Sequence, residues 1–412
     1  MRIGREHQRP INRRAFLQSI ARAATSISVT ASSFGLGEAA THDDRGSTMK
    51  STLDDALVIL RDTGTETHTG APNHGPMAAE ALDAMGRAEA ITGWAERYRR
   101  QLDALPEATS PIVRNGWQSV LGAIDRSADW VAFFRRQLAE APWRMVLADW
   151  IGRLMPGVPS AGAHGLIRTA HALRALQHAE TPLRVEELGS ALAYWAAYYR
   201  QLPGTPNLVG DLRYDEAVEQ MPLFLSGEAR RGPPREVYVR VMSAHAMEFA
   251  AAVDRAGPPE SIGAALSTVS EAGARVYLNN ASRQPLVLLH TVTVPAALRM
   301  MLPQLPEDLQ ATAFAYVWQN VAGVIAAYAD EPPKRRDDWP VPDTATLIER
   351  AIETDDPHAI KLTEACLREN RLNPQSAYLA AAADWIDRLH RARDWSYEER
   401  EEAGMEFRSL SP

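Results

Sequence analysis

Apolar residues recur along most of this chain at spacings of three and four, the period of a helix with one buried face. One stripe runs Met77, Ala81, Met85, then after a step of six Ile91, Trp94, Tyr98 and Leu102. Similar patterns predict helices over Trp117 to Leu138, Val146 to Leu154, Leu166 to Leu176, Val185 to Leu202 and Val237 to Val253. They continue over Leu286 to Leu302, Ala311 to Tyr328, Ala345 to Ile352, His358 to Leu367 and Ser376 to Leu389. Alternation with a period of two is nearly absent, and Val237 to Val241 is the one weak strand candidate. Prolines fall mostly between the patterned segments, as in Leu105-Pro106, Pro156-Gly157 and Pro332-Pro333. No fixed repeat is visible, so a solenoid is not expected. The pattern predicts an all-α, single-domain globule of many helices.

The bulk numbers fit that expectation. Of 412 residues, 45% are hydrophobic and 23% charged, with a net charge of -8. Arg231 to Arg235 and Lys334 to Arg336 are short basic runs beside prolines, which points away from a nucleic-acid partner. One cysteine, Cys366, excludes an internal disulfide framework and a four-cysteine zinc site. The first 48 residues read as a leader and linker, with the domain spanning 49–412. Asn12-Arg13-Arg14-Ala15-Phe16-Leu17 follows the twin-arginine export pattern, so the translocase is an expected partner and the periplasm or exterior an expected destination. A start at Met49 would leave the protein in the cytoplasm. The apolar stretch from Ala23 to Phe34 is too short and too polar for a stable membrane span.

Common catalytic signatures are missing. There is no GxGxxG after a strand, no P-loop, no HExxH and no GxSxG elbow. Ser47-Thr48-Met49-Lys50 has SxxK spacing but lies in the linker without partner motifs. No Glu-x-x-His unit of a ferritin-like di-iron bundle occurs.

Histidines carry the remaining signal. His74, His164, His171, His290 and His358 all lie in apolar, helix-like segments. Buried imidazoles need partners for both ring nitrogens, and a shared metal ion would satisfy several at once. His74 precedes Gly75-Pro76, where the proline suits a first helical turn. It reads as a ligand or base, or else as a turn histidine on one backbone bond. His164, His171 and His178 repeat every seven residues and line one helix face, about 10.5 Å apart at 1.5 Å rise per residue. One ion therefore does not take two of them. His164, beside Gly165, is the expected ligand; His171 is left as an outer partner or substrate contact, and His178 as solvent-facing. Arg168 lies one turn from both, placed either to offset an anion or to pair with a carboxylate. His290 precedes Pro295, which is expected to kink its helix. In Asp355-Asp356-Pro357-His358-Ala359-Ile360-Lys361 an aspartate caps a helix and His358 and Lys361 share a face. Lys361 reads as a metal ligand if it is deprotonated or carbamylated, and otherwise as a surface lysine paired with an acid such as Glu364.

Four segments taken together resemble the questin oxidase-like family: Asn73-His74-Gly75-Pro76-Met77-Ala78-Ala79-Glu80-Ala81-Leu82, His164-Gly165-Leu166-Ile167-Arg168 with His171-Ala172, Leu289-His290-Thr291-Val292-Thr293, and His358-Ala359-Ile360-Lys361-Leu362-Thr363-Glu364-Ala365. The likeness runs from about residue 53 to 390. It implies an all-helical fold and a non-haem metal held mainly by histidines, and it supports Lys361 as a modified ligand. It further implies an oxygenase that opens the central ring of anthraquinones in a Baeyer–Villiger manner, with NADPH as a reductant.

The expected centre is therefore iron on His74, His164, His290, His358 and carbamylated Lys361, using O2 on a polycyclic phenol or quinone. His171 is the expected base and Arg168 the expected anion stabiliser. Trp94, Tyr98, Trp195, Tyr198, Tyr199, Tyr316 and Trp318 are core or pocket aromatics. Two alternatives stand beside this: an exported helical protein that binds an aromatic metabolite without turnover, and a metal-dependent hydrolase built on the lysine carbamate.

Overall fold

Prolines and short capping side chains set where many of the helices begin. The computed structural model describes residues 52–224, 234–282, 284–334, 336 and 338–405. The twin-arginine segment, Ser47-Thr48-Met49-Lys50 and residues 231–233 of the Arg231 to Arg235 run lie outside the described residues. From Lys50 onward the chain forms one compact unit.

Its elements follow in order. The first half holds α1 (Leu53–Leu60), β1 (Thr63–Thr67), α2 (Gly75–Ala84), α3 (Ala88–Arg99), β2 (Leu102–Ala104), α4 (Ser127–Glu140), α5 (Trp143–Leu154), α6 (His164–His178) and α7 (Pro182–Ala197). Then come α8 (Tyr214–Glu219), α9 (Pro234–Ala244), α10 (Ala246–Val253), α11 (Ile262–Asn280), α12 (Pro285–Leu288), α13 (His290–Met301) and α14 (Glu307–Tyr328). The last are α15 (Thr344–Glu353), α16 (Pro357–Leu372), α17 (Ser376–Arg391) and α18 (Tyr397–Glu402). Among the described residues the fold is all-α apart from one two-stranded antiparallel sheet, β1 on β2, with Thr63 opposite Ala104 and Thr67 opposite Leu102.

Capping explains several starts. Thr181 accepts the Arg184 amide at the head of α7, and Asp356 accepts the Ala359 amide at 2.7 Å at the head of α16. Pro76, Pro182, Pro285 and Pro357 occupy first-turn positions that have no need of their missing N–H.

The main apolar core runs from α4 and α5 through α6, α7, α11, α13 and α14 to α17. A second cluster joins α1, α2 and α3 to Ala175 and Ile360. Two glycines let backbones meet. A Cβ on Gly165 of α6 would lie 2.6 Å from the Trp195 ring of α7, and one on Gly273 of α11 would lie 2.4 Å from the Thr291 carbonyl of α13. That carbonyl is the one Pro295, four residues on, cannot bond.

Several boundaries differ from the sequence pattern. Val237 to Val241 is helical, in α9, with Val237, Tyr238, Val241 and Met242 buried on one face. Leu102 lies in β2, not at the end of a helix. Trp117 to Leu138 begins as two short 3-10 turns before α4. The Leu286 to Leu302 run breaks at Leu289, between α12 and α13, whereas Pro295 lies within α13. The stretch Pro285–Gln304 is long and apolar enough to cross a membrane, with hydropathy 1.5, yet 83% of it is buried inside the protein.

Candidate metal centre

Four helix starts deliver the site. His74 is the N-cap of α2, and α6, α13 and α16 begin at or beside His164, His290 and His358. The small sheet places His74. Asn73 donates from its amide to Thr65 O at 3.0 Å and from its side chain to Gly64 O at 2.8 Å. The His74 amide donates to the Tyr98 hydroxyl at 2.8 Å. Ahead of His164, the backbone turns left-handed at Ala161, Gly162 and Ala163. Asp355 is left-handed just before the α16 cap, and Arg97 holds its carboxylate at 2.9–3.2 Å. Left-handed alanine or aspartate costs about 1–3 kcal/mol and tends to mark places where the chain presents something.

The four rings converge. His74 stacks on His164 at 4.6 Å between centroids, with an edge contact to His358 at 4.3 Å. His164 meets His290 at 5.0 Å, and His290 meets His358 at 5.8 Å. Ligand atoms of His74, His164 and His358 lie within 4.8 Å of one another.

Their hydrogen bonds decide what the cluster needs. His164 Nδ1 lies 2.8 Å from Ala161 O, and His290 Nδ1 lies 2.8 Å from Leu286 O. A carbonyl only accepts, so both Nδ1 atoms carry the proton and both neutral rings present a bare Nε2 lone pair. Those two Nε2 atoms face each other at 3.4 Å. Two acceptors this close repel unless a cation lies between them. His74 Nε2 is also buried without a partner. A proton is a poor candidate for that cation. Burial, the charge of Lys361 and the neighbouring rings hold His74 and His164 well below their usual pKa, and burial brings His290 down to about 3. A metal fits: nitrogens bound at about 2.1 Å to one tetrahedral ion sit about 3.4 Å apart.

Lys361 is 4% exposed, not a surface lysine, and Glu364 is taken by Arg174 and Arg368. Burial brings its pKa from 10.5 to about 7, so a substantial neutral fraction exists near neutrality. A neutral amine is what ligation or reaction with CO2 requires. Asp356 Oδ2 lies 3.9 Å from His358 Nδ1, while Asp356 Oδ1 accepts from the Trp385 indole at 3.1 Å.

His171 and Arg168 stand apart from the cluster. His171 lines the cavity shared with His290, His358 and Lys361. Its Nδ1 pairs with Glu80 Oε2 at 2.6 Å. Arg168 does not line that cavity, and its guanidinium is engaged twice by Glu187, at 2.6 and 2.8 Å. His178 is exposed, and His68 is tied to Asp103 at 2.9 Å on the surface. None of the seven singled-out aromatics lines the cavity; Trp94, Trp195 and Trp318 are core, each donating its indole N–H to a backbone carbonyl.

Beneath the cluster runs a chain of alternating charges that the sequence reading did not foresee. Arg174 donates to both Glu80 oxygens at 2.6 Å and bridges to Glu364. Arg368 continues from Glu364 to Glu369, and Arg299 closes on Glu369 at 2.9 Å. The chain ties together α2, α6, α13 and α16, the four helices that bring in the histidines.

No family model matches the chain, and no curated protein matches it.

Proposed function

We propose that the protein is a metal-dependent oxygenase acting on an aromatic, phenol- or quinone-like substrate. The observation that carries the metal is the facing pair of bare Nε2 atoms on His164 and His290, 3.4 Å apart. His74, His164, His290 and His358 would hold the ion, with Lys361 as a carbamate oxygen ligand. Iron there would supply redox chemistry with O2. The choice of iron, of a ring-opening reaction and of NADPH as reductant rests on the resemblance to questin oxidase-like proteins.

The protein's own residues supply the proton chemistry. Glu80 accepts from His171 Nδ1 and so leaves Nε2 as the basic atom. A phenolic hydroxyl in the adjoining cavity would give its proton to that nitrogen. The cavity holds about one water-sized molecule. A ring-sized substrate therefore enters only when its walls part. The Arg13-Arg14 leader suits export of a chain already folded around its metal.

Elemental analysis of the purified chain tests the reading. The expected result is about one iron per chain, sharply reduced in His164→Ala and His358→Ala, with O2 uptake on hydroxyanthraquinones by the iron form. Stoichiometric zinc would favour the second reading, a hydrolase, since a carbamylated Lys361 among histidines serves zinc equally well. A chain without stoichiometric metal would overturn both and leave a binding protein.

A further inference from the structure

Three neighbouring voids link the surface to the histidines through shared lining residues. The outer one is a cleft between α1, β1, α4 and α7, walled by Leu57, Leu60, Val131 and Leu183 with Thr65 and Ser190 at its sides. The middle one lies over Met77, Glu80 and His171. The inner one is the cavity of His171, His290, His358 and Lys361. Outer and middle voids share Leu57, Pro76, Arg168 and Glu187. Middle and inner voids share His171. The polar residues on the boundary between the cleft and the void at His171 are thus the Arg168–Glu187 pair, bidentate and largely buried.

We infer that this cleft is the entrance to the metal centre and that the Arg168–Glu187 ion pair is its gate. The inference rests on the metal reading above. The lining specifies what passes. Leucine and valine walls alternate with polar and charged side chains, and each arginine in the cleft already holds a carboxylate: Arg61 and Arg135 on Glu186, Arg135 also on Asp62, Arg168 on Glu187. The middle void is the same, with Arg184 on Asp54 and His171 on Glu80. Among the described residues that line these two voids no unpaired charge waits to draw in an ion, so the route suits an uncharged molecule with both apolar and polar surface. Arg168 and Glu187 sit on adjacent helices, α6 and α7. Parting them joins the cleft to the void beside His171 without moving the ligand-bearing ends of α2 and α16.

The test uses the metal-loaded full chain and two chelators. 1,10-Phenanthroline is neutral, planar and polycyclic; EDTA is a highly charged control. The metal-loss rate is expected to rise in proportion to phenanthroline concentration and to be at least tenfold slower with EDTA. Glu187→Gln, which leaves the guanidinium without its anion, should speed stripping by phenanthroline severalfold. Ser190→Trp, which fills the mouth and leaves the pair intact, should slow it about tenfold. Equal phenanthroline rates in all three chains, or a rate independent of its concentration, would overturn the gate while leaving the metal centre standing. A chain that carries no metal from the start would overturn the metal reading and the gate with it.

Discussion

Replacing Lys361 by methionine is expected to stabilise the metal-free chain at neutral pH. Burial lowers the lysine's folded pKa from 10.5 to about 7, with Asp356 opposing the shift. Between those values the unfolded chain binds the proton that the folded chain has given up. The folded state is therefore favoured by this group as pH rises: the contribution is complete above about 10.5 and is lost as pH falls toward 7. At pH 7 the loss amounts to about 4 kcal/mol. Methionine matches most of the side chain's length without the charge. Allowing about 1 kcal/mol for poorer packing, the variant should gain about 3 kcal/mol at pH 7. Urea denaturation of metal-stripped protein in CO2-free buffer, at steps from pH 7 to 10.5, measures this. Other groups titrate over the same range, but the difference between the two chains isolates position 361. The gap should close as pH approaches 10.5, and added bicarbonate at pH 7 should stabilise the wild type alone. A variant less stable at pH 7, or a difference that ignores pH, would refute the argument.

Three further outcomes are expected. Arg174→Met removes the guanidinium that Glu80 and Glu364 share, leaving Glu80 to His171 and Glu364 to Arg368, and should cost about 3 kcal/mol by urea denaturation; a near-neutral result would show that the ion-pair chain is not holding the helices together. Asp356→Asn keeps a capping side chain but removes the carboxylate beside His358, and should weaken metal binding about 10- to 100-fold in a competition titration. Gly273→Ala drives a methyl group toward the Thr291 carbonyl and should cost about 1–3 kcal/mol, read as a lowered Tm; an unchanged Tm would mean that α11 and α13 separate easily.

The helical character was legible because it depends on local rules. First-turn prolines such as Pro76 and Pro357 and the Asp356 cap announce themselves within a few residues. The small sheet was not legible: β1 is Thr-Gly-Thr-Glu-Thr, with no apolar alternation to mark it. Val-Tyr-Val-Arg-Val at 237–241 misleads in the other direction, because β-branched residues sit in a helix whose buried positions fall at 237, 238, 241 and 242. The histidines stood out through their apolar surroundings, and the structure brings His74, His164, His290 and His358 together as that pattern suggested. Arg168 was the residue left open, and Glu187, 19 positions away, holds it. Glu80 was invisible as the partner of His171 because 91 residues separate them. Only the Glu364–Arg368 link, four apart on one helix, lay within reach of a local rule.

The alternating chain from His171 to Arg299 has a consequence for how the protein meets its surroundings. Surface ion pairs soften as salt rises, but buried ones are shielded from mobile ions. Against the burial that opposes both, Arg174 and His171 hold Glu80 below its ordinary range, and Arg368 and Arg174 hold Glu364 well below it. Neither brine nor mild acid therefore has a handle on the frame that spaces the four histidines. A protein built this way keeps its binding geometry across a wide range of ionic strength.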